Sequence, residues 1–236
     1  MERMAVLYPS SMKILVVSSC TNEKDSRGFT VLSRCEIDAL RLSGLLKLHS
    51  QKGRMARELY TGQQHKQLFL GVDLLRNRFG PASCEVKIIS AAYGLVAETE
   101  RLLPYEATFN EKGINTKRRG KELNIAPSIQ RSMRGFPLVF FLLGKEYLKS
   151  IHEPLIPMDG QKLVFFAPPS ATLPAKNGIL VPIESKRSGN IAIKGRAFKW
   201  LAVGMDMTST DIENLMSDTV EKISRLIQTG QTEWTA

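Results

Sequence analysis

Two short apolar segments in the second half of the chain most strongly constrain its fold. Residues 138–143 read L-V-F-F-L-L and residues 163–166 read L-V-F-F, and a glycine or proline follows each within two residues. Their short length and their Val and Phe content favour strands covered on both faces, as in a parallel sheet. Open parallel sheets bind ligands at the carboxyl ends of their strands. The loops after these two segments are therefore expected to reach a functional edge.

Two earlier segments complete the predicted sheet. Residues 13–17 and 85–90 are also short and apolar, and small or polar residues follow them. Helical periodicity over residues 30–48 and 63–79 lies between the strands, which predicts right-handed crossover connections. The sequence therefore predicts an α/β fold, a three-layer α/β/α sandwich around a central four-stranded parallel sheet, with residues 179–183 as a candidate for a short edge strand.

The chain is expected to form a single domain. Its 236 residues are enough for one substantial core, and we place this domain at residues 12–230. Its last helix is predicted to begin at Thr210-x-x-Glu213, which matches a capping box. Residues 1–11 are expected to be a flexible N-terminal extension and residues 231–236 a tail.

Composition narrows the classes of function. No window approaches the roughly 18 continuous apolar residues of a membrane span, so we expect no membrane association and a cytoplasmic location. Cys20, Cys35 and Cys84 form no C-x-x-C pair, which argues against a disulfide framework or a structural metal site. The sequence also has no G-x-G-x-x-G or G-x-x-x-x-G-K-[ST] motif. We therefore expect neither a metal nor a cofactor.

Clustered basic residues indicate a polyanionic partner, which we expect to be a nucleic acid. The chain has 33 Lys and Arg against 23 Asp and Glu, giving a net charge of +10. Residues 112–121 hold five cations and no acid, and a second basic region spans residues 186–199. A flexible basic loop can follow a phosphate backbone because neutralised phosphates release counterions; a solvated loop is the alternative. The residues expected to contact this phosphate backbone are Lys117, Arg118, Arg119, Lys186 and Arg187.

Three loops at the predicted carboxyl edge carry candidate site residues. The first strand leads into C-T-N-E-K, which presents Asn22, Glu23 and Lys24. Tyr93 follows the second strand, where its ring can face a ligand or simply pack in the fold. After the fourth strand, P-P-S-A-T-L-P forms a proline-stiffened loop with two hydroxyls and a leucine. Such a loop can hold its shape against a partner.

The third and fourth strand segments and the loops after them resemble the C-terminal half of the uracil-DNA glycosylase superfamily. They read L-V-F-F-L-L-G-K-E and L-V-F-F-A-P-P-S-A-T-L, and S-C-T-N-E-K after the first strand is similar to a loop of the mismatch-specific branch. The resemblance implies strand order 2-1-3-4, a water-positioning role for Asn22, a base-reading position near Ser90 and a wedge at Leu173. Pro168 stands where the family has His or Asn, which removes a side chain that normally contacts the base or sugar.

A second resemblance covers the N-terminal half of the chain. S-C-T-N-E-K, A-R-E-L-Y-T-G, I-S-A-A-Y-G-L and L-P-Y-E are similar to signatures of the YaaA-like peroxide-stress proteins, which have been linked to glycosylase-like folds. This resemblance implies less about activity than the resemblance to the uracil-DNA glycosylase superfamily does. It leaves a non-catalytic DNA-binding stress protein as an alternative function.

Together these resemblances imply a monomeric, monofunctional DNA glycosylase that hydrolyses the N-glycosidic bond of a base flipped out of DNA. The expected catalytic residues are Asn22, Glu23 and Glu106. The expected base-binding residues are Cys20, Thr21, Ser90, Tyr93 and Tyr105. At the carboxyl edge, the side chains expected to contact the DNA strand are Lys24, Ser170, Thr172 and Leu173.

Several alternatives remain open at this point. Cys20 could be a nucleophile whose pKa Lys24 lowers, and Lys24 itself could form a Schiff base. Ser90 and Pro168, in place of amide or imidazole side chains, predict room for a damaged or modified base, including bases that bacteriophages modify. Repair and antiviral defence are both compatible with that substrate. An N-glycosidase of free nucleosides or nucleotides would use the same chemistry without needing the basic segments.

Overall fold

A six-stranded sheet organises the protein. The structure is a computed structural model that describes residues 13–183 and 192–204. The predicted N-terminal extension, final helix and tail, together with Lys186 and Arg187, lie outside the described residues. The strands of the large sheet, in chain order, are β1 (Ile14–Ser19), β4 (Cys84–Ser90), β5 (Gly94–Ala97), β8 (Leu138–Leu142), β9 (Lys162–Ala167) and β10 (Ile179–Pro182).

Short strands and eight helices complete the described part of the chain. Four two-residue strands form two small ladders, β2 (Leu32–Ser33) with β7 (Tyr105–Glu106) and β3 (Arg54–Met55) with β6 (Arg101–Leu102). The helices are α1 (Arg34–Leu42), α2 (Leu46–Ser50), α3 (Ala56–Leu59), α4 (Gln63–Phe79), α5 (Thr116–Glu122), α6 (Ile125–Ser132), α7 (Lys145–Ser150) and α8 (Ile193–Gly204).

The large sheet is mostly parallel. Its order is β10-β9-β8-β1-β4-β5, and every neighbouring pair except β4 and β5 is parallel. The segments predicted at 13–17, 85–90, 138–143 and 163–166 correspond to β1, β4, β8 and β9, which are adjacent in the order β4-β1-β8-β9. The prediction of four strands is too low, because β5 and β10 extend the sheet at its edges. An α/β architecture with a helix-flanked, mostly parallel sheet is confirmed.

The helix predictions were right in one case and incomplete in the other. The helix predicted at 63–79 matches α4. The helix predicted at 30–48 is divided into α1 and α2, because the chain turns at Gly44 with a positive φ of 74° that disfavours other residues. A capping box at Ser33 and Glu36 fixes the start of α1.

Phenylalanine side chains cover both faces of the sheet. Phe140 lies 5.9 Å from Phe166 and 5.6 Å from Phe198 of α8, measured between ring centroids. Phe141 stacks on Phe165 at 4.4 Å. Because successive residues of a strand point to opposite faces, these two clusters lie on opposite sides. Both faces of β8 and β9 are therefore buried, as their unbroken apolar sequences predict.

Close contact between α4 and α8 depends on glycines. A Cβ at Gly195 would lie 2.2 Å from the backbone oxygen of Gln64, and a Cβ at Gly71 would lie 2.8 Å from the Cα of Lys199. In both cases the nearest atom belongs to the backbone, which cannot rotate away. The two helices therefore approach each other at distances that only glycine permits.

We expect Gly195→Ala to destabilise the fold by about 1–3 kcal/mol, the usual cost of overpacking. Gly204→Ala at the end of the same helix is the matched control, because a Cβ there meets nothing within 4 Å. Its effect should stay within about 0.5 kcal/mol. Urea unfolding of the two variants measures the difference. Equal stability of both variants would contradict the close helix contact.

Candidate functional site

The loop after β1 is held firmly at the carboxyl edge of the sheet. The Cys20 N–H donates to the Ile89 carbonyl at 2.9 Å, and the Asp25 N–H donates to the Leu59 carbonyl at 2.8 Å. Between these points Lys24 forms an antiparallel bridge with Tyr60. Residues 20–25 are thus fixed at both ends to other parts of the fold, which sets the position of every side chain they carry.

The segment after α3 supports the middle of this loop. The Thr61 N–H donates to the Glu23 carbonyl at 3.0 Å, and the Thr21 hydroxyl donates to the same carbonyl at 2.9 Å. A Cβ at Gly62 would lie 2.7 Å from the Cβ of Thr21, so the two segments are in close contact. Thr21 and the backbone of Glu23 therefore shape the loop, while the Glu23 side chain is exposed.

A buried chain of hydroxyls lies beneath the loop. The Tyr105 hydroxyl is 2.8 Å from the Tyr60 hydroxyl and 2.7 Å from the Ser90 hydroxyl. The Ser90 oxygen also accepts from the backbone N–H groups of Ala92 and Tyr93, so its own proton is best placed to point to Tyr105. Burial raises the pKa of both Tyr60 and Tyr105, which keeps the phenols neutral.

This hydroxyl chain changes what can be expected of Ser90, Tyr93 and Tyr105. Ser90 is fully buried and Tyr105 is 1% exposed, so their hydroxyls serve internal hydrogen bonds. Tyr93 is partly buried, and its hydroxyl donates to the Leu103 carbonyl at 3.3 Å and accepts from the Leu103 N–H at 3.1 Å. In this conformation the hydroxyls of all three residues already form internal hydrogen bonds, so they are not free to read the edge of a base.

The Cys20 thiol belongs to a second buried contact. Its sulfur lies 3.0 Å from the hydroxyl of Tyr147 in α7, and the Tyr147 ring meets Phe109 edge to face at 5.2 Å. Burial raises the pKa of the Tyr147 phenol. Cys20 is itself buried, so its sulfur joins the β1 loop to α7 and is not exposed as a nucleophile would be.

Lys24 is the cation of the site. Its Nζ lies 4.4 Å from the centroid of the Tyr105 ring, over the face of that ring. Burial lowers the pKa of the Lys24 ammonium, and electrostatic interactions with Cys20 and Glu106 oppose this effect in part. A larger fraction of Lys24 is therefore uncharged at neutral pH than of an ordinary surface lysine.

These elements surround a pocket of about 420 Å³ at the carboxyl edge. Asn22 and Glu106 are exposed and bring an amide and a carboxylate to the pocket, while Lys24 brings an amine. The set can therefore position a water, accept a proton and stabilise either sign of charge. The residues that line the pocket are Asn22, Lys24, Tyr105, Glu106, Ala107, Thr108 and Glu111.

A separate groove of about 600 Å³ lies between α7 and the loop after β9. It contains the predicted DNA-contacting residues Thr172 and Leu173 and shares no lining residue with the Asn22 pocket. Leu173 is partly buried and packs against the core, whereas Thr172 and Ser170 are exposed. The basic side chains along the groove are Lys117, Lys145, Lys149 and Lys176.

The basic segment at 112–121 is in part helical, which corrects its description as a flexible loop. The Asn115 side chain accepts from the Arg118 N–H and caps α5. Helical geometry then exposes Lys117 and Arg118 but turns Arg119 inward. The Arg119 guanidinium binds both carboxylate oxygens of Asp38, at 2.9 and 3.0 Å, and the Ala91 carbonyl. Arg119 is therefore committed to the fold and is not available to DNA.

The ion pair between Arg119 and Asp38 joins α5 to α1. Burial alone would raise the pKa of Asp38, but hydrogen bonds from Arg119 and Arg41 outweigh it and hold the pKa below its usual value. We expect Arg119→Met to destabilise the fold by about 1–3 kcal/mol, since it leaves the Ala91 carbonyl without its donor and Asp38 with Arg41 as its remaining arginine partner. The neighbouring Arg118→Met should cost less than about 1 kcal/mol, because the Arg118 pair with Glu122 is exposed. Chemical unfolding tests this, and a small cost at Arg119 would refute its structural role.

His65 is a neutral histidine packed beside Tyr60. Its ring centroid lies 5.7 Å from that of Tyr60 and 4.6 Å from that of Phe69. The Nε2 atom lies 3.0 Å from the Arg57 carbonyl and must carry a proton to donate to it. Burial lowers the pKa of His65 to about 4. The histidine therefore supports the wall of the hydroxyl chain without a charge.

This pKa predicts a specific pH dependence of stability. The unfolded histidine takes up a proton near pH 6.5 and the folded one near pH 4. The contribution of neutral His65 to the free energy of unfolding is therefore fully present above pH 6.5 and is lost as the pH falls towards 4. The loss amounts to about 3 kcal/mol at 1.36 kcal/mol per pKa unit. His65→Gln keeps a donor but cannot titrate, so its unfolding free energy should decline less over this range. Parallel pH curves for the two proteins would show that His65 is not responsible.

Some residues of the site were not predicted from sequence. Tyr60 lies in the motif A-R-E-L-Y-T-G, and Tyr147 follows β8 at the expected functional edge. The positions of both residues in the sequence could therefore have indicated that they lie near the site. Thr108 and Glu111 carried none, because they follow an irregular segment. Within residues 13–183 and 192–204, no cluster of three or more His, Cys, Asp or Glu could hold a metal. Within the same ranges no helix has the length and apolarity needed to cross a membrane.

Comparison with known proteins adds no identification. No protein-family profile matches the sequence, and no curated protein matches it significantly. Function therefore has to be inferred from the chemistry of the site itself.

Proposed function

We propose that this protein is a DNA glycosylase that hydrolyses the N-glycosidic bond of a damaged or modified base and leaves an abasic site. The observation that carries the proposal is the pocket in which Asn22, Lys24 and Glu106 lie together at the carboxyl edge of the central strands. The strand order β4-β1-β8-β9 supports it, because the uracil-DNA glycosylase superfamily has the corresponding order 2-1-3-4. A cytoplasmic monomer acting on DNA without a metal or cofactor remains part of the proposal.

Hydrolysis of this bond needs a positioned water and stabilisation of a cationic sugar. Glu106 is exposed in the pocket, so its carboxylate can accept a proton from the water and face the developing positive charge. The Asn22 amide oxygen can accept the second hydrogen bond of that water. Lys24 lies close enough to interact electrostatically with Glu106 and can stabilise the departing base, which carries negative charge.

The basic groove supports DNA over a free nucleoside as substrate. Lys117, Lys145, Lys149 and Lys176 line it beside the exposed hydroxyl of Thr172. Lysines and hydroxyls are common phosphate contacts that fix a strand without reading its sequence. A free nucleoside would reach the Asn22 pocket without using this groove. A flipped nucleotide in the pocket needs its flanking phosphates to be held nearby.

The test uses DNA that carries ordinary, deaminated and phage-modified bases. The wild-type protein is expected to release a base and leave abasic sites in at least one of these DNAs. Glu106→Gln should reduce the rate by about 10²–10⁴-fold, the range for a lost general base, and Asn22→Ala should also reduce it. Glu85→Gln, at the opposite end of β4, is the matched control and should keep full activity.

Three results would contradict the proposal. Base release from free nucleosides alone would show a nucleoside N-glycosidase. Tight DNA binding without release would show a non-catalytic DNA-binding protein. Full activity of both Glu106→Gln and Asn22→Ala would show that the chemistry lies elsewhere.

A further inference from the structure

We propose that Lys24 gives this site a second activity, cleavage of the DNA strand at the abasic site through a Schiff base. The inference rests on the proposed function, because the abasic sugar is the product of base removal. It replaces the expectation of a monofunctional enzyme with that of an enzyme with two activities. Two observations support the inference. The Lys24 amine lines the same pocket as the Glu106 carboxylate and the Asn22 amide, and the bridge to Tyr60 fixes the Lys24 backbone.

The surroundings of Lys24 suit a nucleophilic amine. Its Nζ lies over the Tyr105 ring at 4.4 Å, and its polar contact is a weak one to the Asn22 carbonyl at 3.5 Å. No carboxylate forms an ion pair with Lys24 among the described residues. An amine that is partly buried and lacks an ion pair loses its proton more easily than a paired surface amine. The lowered pKa of Lys24 agrees with this geometry.

The proposed step balances with water as the only other reactant. The neutral Lys24 amine adds to the aldehyde carbon C1′ of the ring-opened abasic sugar, and one proton taken from solvent water lets the resulting hydroxyl leave as water, which gives a protonated Schiff base. The Glu106 carboxylate takes a proton from C2′, the electron pair of that C–H bond forms the C2′–C3′ double bond, and the 3′ phosphate leaves with the C3′–O electrons. Water then hydrolyses the Schiff base, which frees Lys24 and an unsaturated aldehyde at the 3′ end.

Lys24 is distinguished from the other lysines near the sheet edge. The groove lysines Lys117, Lys149 and Lys176 do not line the Asn22 pocket. Lys194 is also buried, and burial lowers its pKa to about 8, but its Nζ lies about 4.0 Å from the Cβ position of Gly144, at the start of α7. Lys194 is therefore the best competing amine. Any test must separate it from Lys24.

The experiment traps the Schiff base on an abasic site prepared in advance. The full-length protein is incubated with an oligonucleotide that already contains one abasic site, and sodium borohydride reduces any Schiff base to a stable covalent adduct. Peptide mapping of the wild-type adduct should place the modification on Lys24. Lys24→Ala and Lys24→Arg should both lose the adduct and the strand cleavage. Lys47→Ala, which removes an exposed lysine of α2, should keep both.

Because the abasic site is supplied, the result does not depend on base removal. A wild-type protein that forms no adduct, or one whose adduct maps to Lys194 or another amine, would overturn the Lys24 proposal even if base release from DNA is observed. An adduct on Lys24 with no base release from any DNA would support the lyase step and overturn the proposed glycosylase activity. A thermal melt shows whether each variant is folded. If a variant is unfolded, the peptide map of the wild-type adduct alone shows whether Lys24 is the reacting amine.

Discussion

The pairing of β1 on both sides fixes the part of the molecule where chemistry can occur. Strand β1 is parallel to β4 on one side and to β8 on the other, and its apolar residues are fully buried. A strand held in this way cannot slide by one residue without exchanging its two buried faces. The loop at residues 20–25 therefore leaves the sheet at one position, and the hydrogen bonds of Cys20 and Asp25 fix where it goes.

Burial of polar groups then determines the electrostatics of the pocket. The hydroxyls of Tyr60, Tyr105 and Ser90 satisfy one another, so they form a neutral floor that needs no solvent. Lys24 lies on this floor, where the aromatic face of Tyr105 attracts its charge while burial opposes that charge. These two effects favour opposite protonation states. Burial is the larger of the two, so the Lys24 amine gives up its proton more readily than an ordinary surface lysine does.

The sequence was most informative where a residue type allowed one kind of environment. Unbroken apolar segments can only be buried on both sides, which is why the positions of β1, β4, β8 and β9 were predictable. The edge strand β5 was harder to predict because it is only four residues long and carries a weak pattern. The position of Asn22 and Lys24 at the sheet edge was predictable because they follow a strand, and ligands bind at the carboxyl ends of parallel strands.

The site predictions that the structure contradicts share one physical cause. In each case the side chain binds a partner that is distant in the sequence. Arg119 was expected to bind DNA because it lies among cations, yet its partner Asp38 comes from another helix, 81 positions away. Ser90 and Tyr105 are predicted from sequence to bind a base, but in the fold their hydroxyls form a hydrogen bond to each other. Composition shows how many charges and hydroxyls a segment has. It does not show which of them the fold has already satisfied.

The separation of the basic groove from the Asn22 pocket limits how a substrate can bind. The two share no lining residue, and the contact between Cys20 and Tyr147 joins the start of the loop at residues 20–25 to α7, which lines the groove. A substrate that occupies both must therefore extend from one to the other. A compact ligand would occupy the pocket alone. Because only a polymer would add phosphate contacts in the groove, binding of the proposed nucleic acid substrate should weaken with salt more steeply than binding of a free nucleoside.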